Sequence, residues 1–292
     1  MQSNKEIAAL LRLIDDPDVE VYDTVASKLL YFGKDIIPSL EQLWEVTVDE
    51  EVQERIETLI HRVHFNELQH DFFEWSRADN PELLRGAILL ARYATPDLAI
   101  PPLLARFDQI KKNVWLELNN YMTPLEQVHV LNTILYNYYN LKGHELTVRE
   151  PKHFFINELL DTRQGNPYSL GILYLALSEM LDIPVFAVEI PRQFLFAYID
   201  TLHDFYSHKP EGVQHIQFYL DPISGMVYVQ RDIDVYLKKI NALDRQRKIM
   251  PLKSKRIIYK MMEELCLCYR YRREDAKADE IEQLMKMLVS EE

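Results

Sequence analysis

Hydrophobic side chains in the first third of the chain recur at spacings of three and four. Val19 is followed by Tyr22, Ala26, Leu29 and Leu30, Val52 by Ile56, Leu59 and Val63, and Leu83 by Ala87 and Leu90. Such spacing lines one face of a helix. Each series opens on acidic or capping residues, Asp16-Pro17-Asp18, Asp49-Glu50-Glu51 and Asn80-Pro81-Glu82, which suit the positive end of a helix dipole. A second helix is predicted after each first one, over residues 36–46, 66–75 and 98–110. Two of these carry a proline near their start, in Ile37-Pro38 and Ile100-Pro101. Helix pairs recurring every 31–33 residues predict an α-solenoid, because a single pair has nowhere to bury its apolar face.

After Lys111-Lys112-Asn113 the texture changes. Residues 124–139 read as a helix with Leu125, Val128, Leu131, Ile134, Leu135 and Tyr138 inward, and residues 154–161 as another. Asn166-Pro167 is a strong helix start, with Asn as N-cap and Pro at the first helical position. The helix it opens runs to about Leu181 and is apolar almost all round, so it is predicted to be buried. Strand-like segments follow at 185–190, 194–199, 216–220 and 226–229, punctuated by Pro191, Pro210 and Asp221-Pro222. Helical pattern returns over 232–240 and 252–288. The predicted fold class is therefore α+β and mostly helical, with an N-terminal α-solenoid (1–110), a central α+β domain (111–244) and a C-terminal helical hairpin (245–292).

Composition narrows the function. With 48% apolar residues, the 292-residue chain does not belong to the disordered class. No apolar run approaches the roughly 18 residues that span a bilayer. Residues 1–13 carry Lys5, Glu6 and Arg12 and lack the apolar stretch of a signal peptide. A soluble, cytoplasmic protein without membrane contact is expected. The seven glycines stand at least six residues apart, which excludes both the dinucleotide fingerprint and the Walker loop, so no cofactor is expected. Charge is uneven: 33 basic against 46 acidic side chains overall, and 10 against 21 within residues 1–110. That acidity disfavours nucleic acid, whose phosphates need cations. Two cysteines, Cys266 and Cys268, make neither a disulfide framework nor a four-thiolate zinc site. His61 and His64 lie three apart on a helix with no Cys or His-Glu-x-x-His beside them, and no metal is expected. Arg245, Arg247, Lys248, Lys253, Lys255, Arg256 and Lys260 form a basic stretch suited to an acidic partner or to the chain's own acidic segment.

A set of short motifs carries a family resemblance. Arg163-Gln164-Gly165-Asn166-Pro167-Tyr168-Ser169-Leu170 leads into Leu173-Tyr174-Leu175-Ala176. Leu181-Asp182-Ile183-Pro184-Val185, Pro191-Arg192-Gln193-Phe194 and Leu220-Asp221-Pro222 follow. Together they resemble the SirB-like branch (transglutaminase-like core 2) of the transglutaminase-like superfamily, over about residues 113–240. The resemblance implies a papain-like α+β domain and a degenerate tetratricopeptide-like tail, and the acidic N-terminal segment is similar to degenerate HEAT repeats.

For active members, the resemblance implies a Cys at the start of the buried helix, a His on the next strand and an Asp on the one after. A helix N-terminus and a neighbouring imidazolium both favour a thiolate. Carried onto this chain, the nucleophile position falls on Pro167 or, two residues on, Ser169. The His position is Gln193, and Asp221 alone matches. Proline has no nucleophile, and an amide at Gln193 cannot take a proton from Ser169. The expected role is thus a non-catalytic protein- or peptide-binding module, with Asn166, Tyr168, Ser169, Arg192, Gln193 and Asp221 around a cleft that receives an acidic or peptidic group at the helix start. The rival is an acyl-transfer enzyme, hydrolase or peptidase using Ser169 with a base recruited from elsewhere, such as His203, His208 or His215. Ser169 buried and bonded to backbone favours the first, and a His or Lys within its reach favours the second.

Overall fold

The computed structural model describes residues 2–199, 216–242 and 250–288. His203, His208, His215, Arg245, Arg247 and Lys248 lie outside the described residues. The chain forms two compact units, Met1–Glu74 and Trp75–Glu292.

The first unit consists of α1 (Gln2–Leu11), α2 (Val19–Tyr31), α3 (Ile37–Val46) and most of α4 (Glu50–Arg77). Its acidic helix starts act as caps. Asp18 Oδ1 accepts from the Glu20 amide and Asp49 Oδ1 from the Glu51 amide, each at 2.9 Å. Leu10, Ile14, Val25, Leu29, Leu40, Ile56 and Leu59 form the core. Arg55 closes the turn after α1 by donating to the carbonyls of Ile14 and Asp16 at 3.2 and 2.9 Å. One prediction fails here: the second helix pair is a single 28-residue helix, α4. His64-Phe65-Asn66 contains neither Pro nor Gly to end it, and the buried stripe of Ile56, Leu59 and Val63 continues through Leu68, Phe72 and Trp75.

The second unit begins with α5 (Leu83–Ala94), α6 (Ile100–Glu117) and α7 (Pro124–Asn132), the last extended by a π-helical turn, Thr133–Tyr138. Leu125 and Tyr138, predicted inward, are exposed. Leu125 sits in the open first turn of α7, and the wider π turn rotates Tyr138 off the buried stripe. Next come strand β1 (Lys142–Gly143), a 3-10 turn (Pro151–Phe154), α8 (Ile156–Thr162) and strand β2 (Gln164–Gly165), which pairs parallel with β1. Helix α9 (Pro167–Met180) is buried from Pro167 to Ser178, and α5, α6, α8 and the sheet all pack on it. Each buried Leu or Ile there contributes roughly 1.5–3 kcal/mol.

The sheet contains β3 (Val185–Ile190), β4 (Gln193–Ile199), β5 (Ile216–Leu220) and β6 (Val227–Tyr228), all antiparallel in the order β3-β4-β5-β6. Phe194 and Phe196 face α9, whereas Val188, Ile190, Leu195 and Ala197 cluster with Ile233 and Leu237 of α10 (Gln230–Lys239). Burial on both faces explains why β4 reads as an unbroken apolar run, Phe194-Leu195-Phe196-Ala197-Tyr198-Ile199. The edge of β3 is covered by residues 251–252, with the Leu252 amide bonded to the Ala187 carbonyl at 2.8 Å. Helices α11 (Ser254–Tyr271) and α12 (Asp275–Leu288) make the expected C-terminal hairpin, and α11 packs on α5. The helix pair α5–α6 therefore belongs to the same compact unit as α9 and the sheet, so position 110 marks a change of sequence texture and not of compactness. Among the described residues, no helix is long and apolar enough to cross a membrane.

Gly171 is where α9 meets the sheet. A Cβ there would lie 2.7 Å from Phe194 Cε1 and 3.1 Å from Phe196 Cζ. Alanine raises helix propensity by about 1 kcal/mol, but the two rings are fixed by packing, and overpacking costs about 1–3 kcal/mol. Gly171→Ala is expected to lower the urea midpoint of unfolding; a raised midpoint would show that the sheet yields.

Candidate active-site remnant and cleft

The chain enters α9 through a knot of short-range hydrogen bonds. Asn166 Oδ1 accepts from the amides of Tyr168 and Ser169 at 2.9 and 3.0 Å. Ser169 Oγ accepts in return from the Asn166 amide at 3.1 Å and donates to the His153 carbonyl at 2.6 Å. With Pro167 at the first position and the Leu170 amide on the Asn166 carbonyl, no backbone amide is left free at this helix start, although Asn166 Nδ2 is buried without a partner among the described residues. The expected attraction of an acidic group to these amides is thereby corrected: the side chain of Asn166 already occupies them. Asn166 and Ser169 are buried, Ser169 completely.

The β1–β2 pairing places two histidines behind this knot. The rings of His144 and His153 stack in parallel with centroids 4.6 Å apart, and His144 Nε2 lies 3.2 Å from Gln164 Oε1. His153 reaches Ser169 only through its carbonyl. Burial and the adjacent His144 ring hold its imidazole below the usual histidine pKa.

A cleft of about 610 Å³ opens on the other side of the helix start. Pro167 and Tyr168 form its floor, Arg192 and Gln193 its rim, and Asp221 with Ile223 one wall. Pro191 and Arg192 make the two-residue turn between β3 and β4, in which Arg192 is left-handed with φ of 63°, as the third residue of a type II turn requires. Tyr236 fixes this turn by donating to the Pro191 carbonyl at 3.0 Å. Asp221 shapes the turn after β5: its Oδ1 accepts from the Ile223 amide at 3.1 Å and its Oδ2 from Ser224 Oγ at 2.6 Å. The π-helical region clamps that turn, since Asn132 Nδ2 and Tyr136 Oη donate to the carbonyls of Gly225 and Pro222, each at 2.8 Å. Gly225 has φ of +69°, and a Cβ on it would collide with the Asn132 amide.

A family model for the transglutaminase-like superfamily matches residues 102–263. The chain belongs to this superfamily. Among curated relatives, a UPF0162 protein of Vibrio cholerae is 23% identical over 159 residues, which is 54% of each chain. Protein SirB1 of Salmonella typhimurium is 22% identical over 163 residues, 55% of each chain. Human F-box only protein 21 is 24% identical over 139 residues, 40% of this chain and 22% of that one. The chain thus spans about half the length of the first two and less of the third. No solved structure matches it.

In the transglutaminase-like frame, the structure brings Pro167, Tyr168, Arg192, Gln193 and Asp221 to one cleft and leaves Asn166 and Ser169 behind its floor. Gln193 is exposed at the rim and makes no side-chain hydrogen bond among the described residues. The thiols stand elsewhere: Cys266 and Cys268 are buried in α11, and burial raises both pKa values, that of Cys268 to about 11. Sequence reasoning missed the contribution of α11, whose Lys260 and Glu264 line the cleft four residues apart on one helix face. It also missed Glu145 and Tyr228. Only the i, i+4 spacing of Lys260 and Glu264 was visible in the sequence, and it does not say what the face meets. A larger cavity of about 1040 Å³, beside Pro184, Lys253 and Leu288, contains none of the residues at the start of α9.

Two outcomes follow from the knot. Ser169→Ala removes a buried bridge between His153 and Asn166, and should cost about 1–3 kcal/mol in urea unfolding; a change below about 0.5 kcal/mol would contradict the structural role. Because His153 has a lowered folded pKa, the unfolded chain binds its proton more readily. Its contribution to stability is complete above about pH 6.5 and declines as pH falls through the lower folded value. Between about pH 7 and 5.5, the wild-type thermal midpoint should fall more steeply than that of His153→Gln. Parallel slopes would place the titration elsewhere.

Proposed function

We propose that this chain is a non-catalytic member of the transglutaminase-like superfamily whose cleft holds a peptide segment of a protein partner. One observation carries the proposal: Ser169 Oγ is fully buried and already bonded to the His153 carbonyl and the Asn166 amide. A hydroxyl that donates to a main-chain carbonyl has no base to activate it, and the residue at the base position, Gln193, is an amide. The helix dipole adds about 0.3–1 kcal/mol, up to about 2 in buried geometry, far short of ionising serine at neutral pH. The cleft beside it is of a size that binds small groups and side chains. Its rim turn and its Asp221 wall are braced by Tyr236, Asn132 and Tyr136, so the shape is set before a ligand arrives. The acidity of residues 1–110 supports a protein partner over nucleic acid, and the paired helices α2–α3 and α5–α6 offer further protein-facing surface in the manner of HEAT-like repeats.

The test is chemical. Purified protein treated with a serine-directed fluorophosphonate, and separately with an amine plus a glutamine peptide, should show neither labelling of Ser169 nor transamidation. Labelling at Ser169, or turnover lost in Ser169→Ala, would establish acyl-transfer chemistry in its place.

A further inference from the structure

The cleft is strongly biased in charge. Its lining carries five carboxylates, Glu145, Glu189, Asp221, Asp232 and Glu264, against two cations, Arg192 and Lys260. Most of these charges are already engaged. Glu189 takes Lys260 at 2.7 Å, Asp232 caps α10 through the Val229 amide at 2.9 Å, and Asp221 is spent on its turn. Glu264 is held, among the described residues, by a long ion pair with Arg149 at 3.9 Å. Glu145 has no side-chain partner among the described residues.

An independent feature points the same way. Tyr168 is 6% exposed and lines the cleft, yet its hydroxyl makes no hydrogen bond among the described residues. Its ring is held by stacking on Phe194, with centroids 4.6 Å apart. The hydroxyl keeps contact with solvent in the cleft and so stands available to a ligand. The Tyr168 phenol is also raised in pKa, first by burial and then by Glu264, Glu263 and Glu189; that of Tyr228 is raised by burial and then by Asp221, Asp232 and Glu145. Both tyrosines line the same cleft as the five carboxylates.

A cleft lined by tyrosines and an excess of carboxylates matches one side chain better than others. A guanidinium is planar, stacks on rings, and donates in a fork to a carboxylate, and it is shed of water more easily than an ammonium. Resting on the peptide-binding reading above, we propose that the cleft is specific for an arginine side chain of the bound peptide, with Glu145 as the open carboxylate and the Tyr168 hydroxyl as a further contact.

The experiment uses the full chain and four fluorescent pools of end-blocked nonapeptides with degenerate flanks, whose central residue is arginine, lysine, citrulline or glutamate. Fluorescence anisotropy should show the arginine pool binding about tenfold more tightly than the citrulline pool, with lysine several-fold weaker than arginine and glutamate weakest. Glu145→Gln and Tyr168→Phe remove groups without a side-chain hydrogen bond or ion pair among the described residues, so both should fold normally. Glu145→Gln should abolish the preference for arginine over citrulline, and Tyr168→Phe should weaken the arginine pool several-fold. Equal binding of arginine with lysine or citrulline, or a preference unchanged in Glu145→Gln, overturns the assignment. Charge-blind binding that is lost in Gln193→Trp, which fills the cleft rim, overturns this inference and leaves the peptide-binding reading standing. No binding by any pool overturns both.

Discussion

The start of α9 is the constraint on which the rest of the structure depends. A helix buried on every side offers no water to its first amides, so each must find a partner within the protein. Asn166 supplies two of those partnerships, Pro167 removes the need for one, and Ser169 ties the cap to His153 in the preceding turn. Around the helix so fixed stand α5, α6, α8 and the sheet. The same bonds set the line of the chain into the helix and hold Tyr168 at the floor of the cleft.

That solution has a chemical consequence. A helix start can serve as an activating dipole for a nucleophile only if its amides and the reacting atom remain open. Here the amides are consumed internally and the hydroxyl at Ser169 is turned away from the cleft into the backbone. The cleft draws its charge largely from carboxylates on five different elements and loops. The result is an acidic, aromatic recess beside a helix start whose amides and Ser169 hydroxyl are already bonded within the protein. Stability of the helix start and openness of the Ser169 hydroxyl are in competition, and here the hydrogen bonds favour stability.

Much of this was legible in the sequence. Asn166-Pro167 announces the cap, the alternation of apolar runs with Pro191 and Asp221-Pro222 places the strands, and the resemblance sets Pro167 or Ser169, and Gln193, where active members carry thiol and imidazole. What was not legible depends on distance in the chain. Residues 63–66 lack a breaker, but periodicity alone does not distinguish two short helices from the single α4. The contribution of Glu264 and Lys260 to the cleft requires α11 to lie against β3, where Lys260 meets Glu189, a pairing across 71 residues of sequence. The direction of the Ser169 hydroxyl was equally hidden, because the carbonyl that receives it belongs to His153, in a 3-10 turn with no sequence mark of its own.

The central claim is that Ser169, which with Pro167 is one of the two positions proposed to stand where active members carry a nucleophile, is sealed by its hydrogen bonds. Ser169→Cys puts a thiol on that position, and the alkylation rate of that site by iodoacetamide, located by peptide mass spectrometry against the buried Cys266 and Cys268, measures directly whether it is open and activated. A sealed position predicts a thiol that is inert in the folded protein at neutral pH and reacts only when urea unfolds the chain. Rapid alkylation of the folded protein, persisting below about pH 7 as for an activated thiolate, would contradict the account.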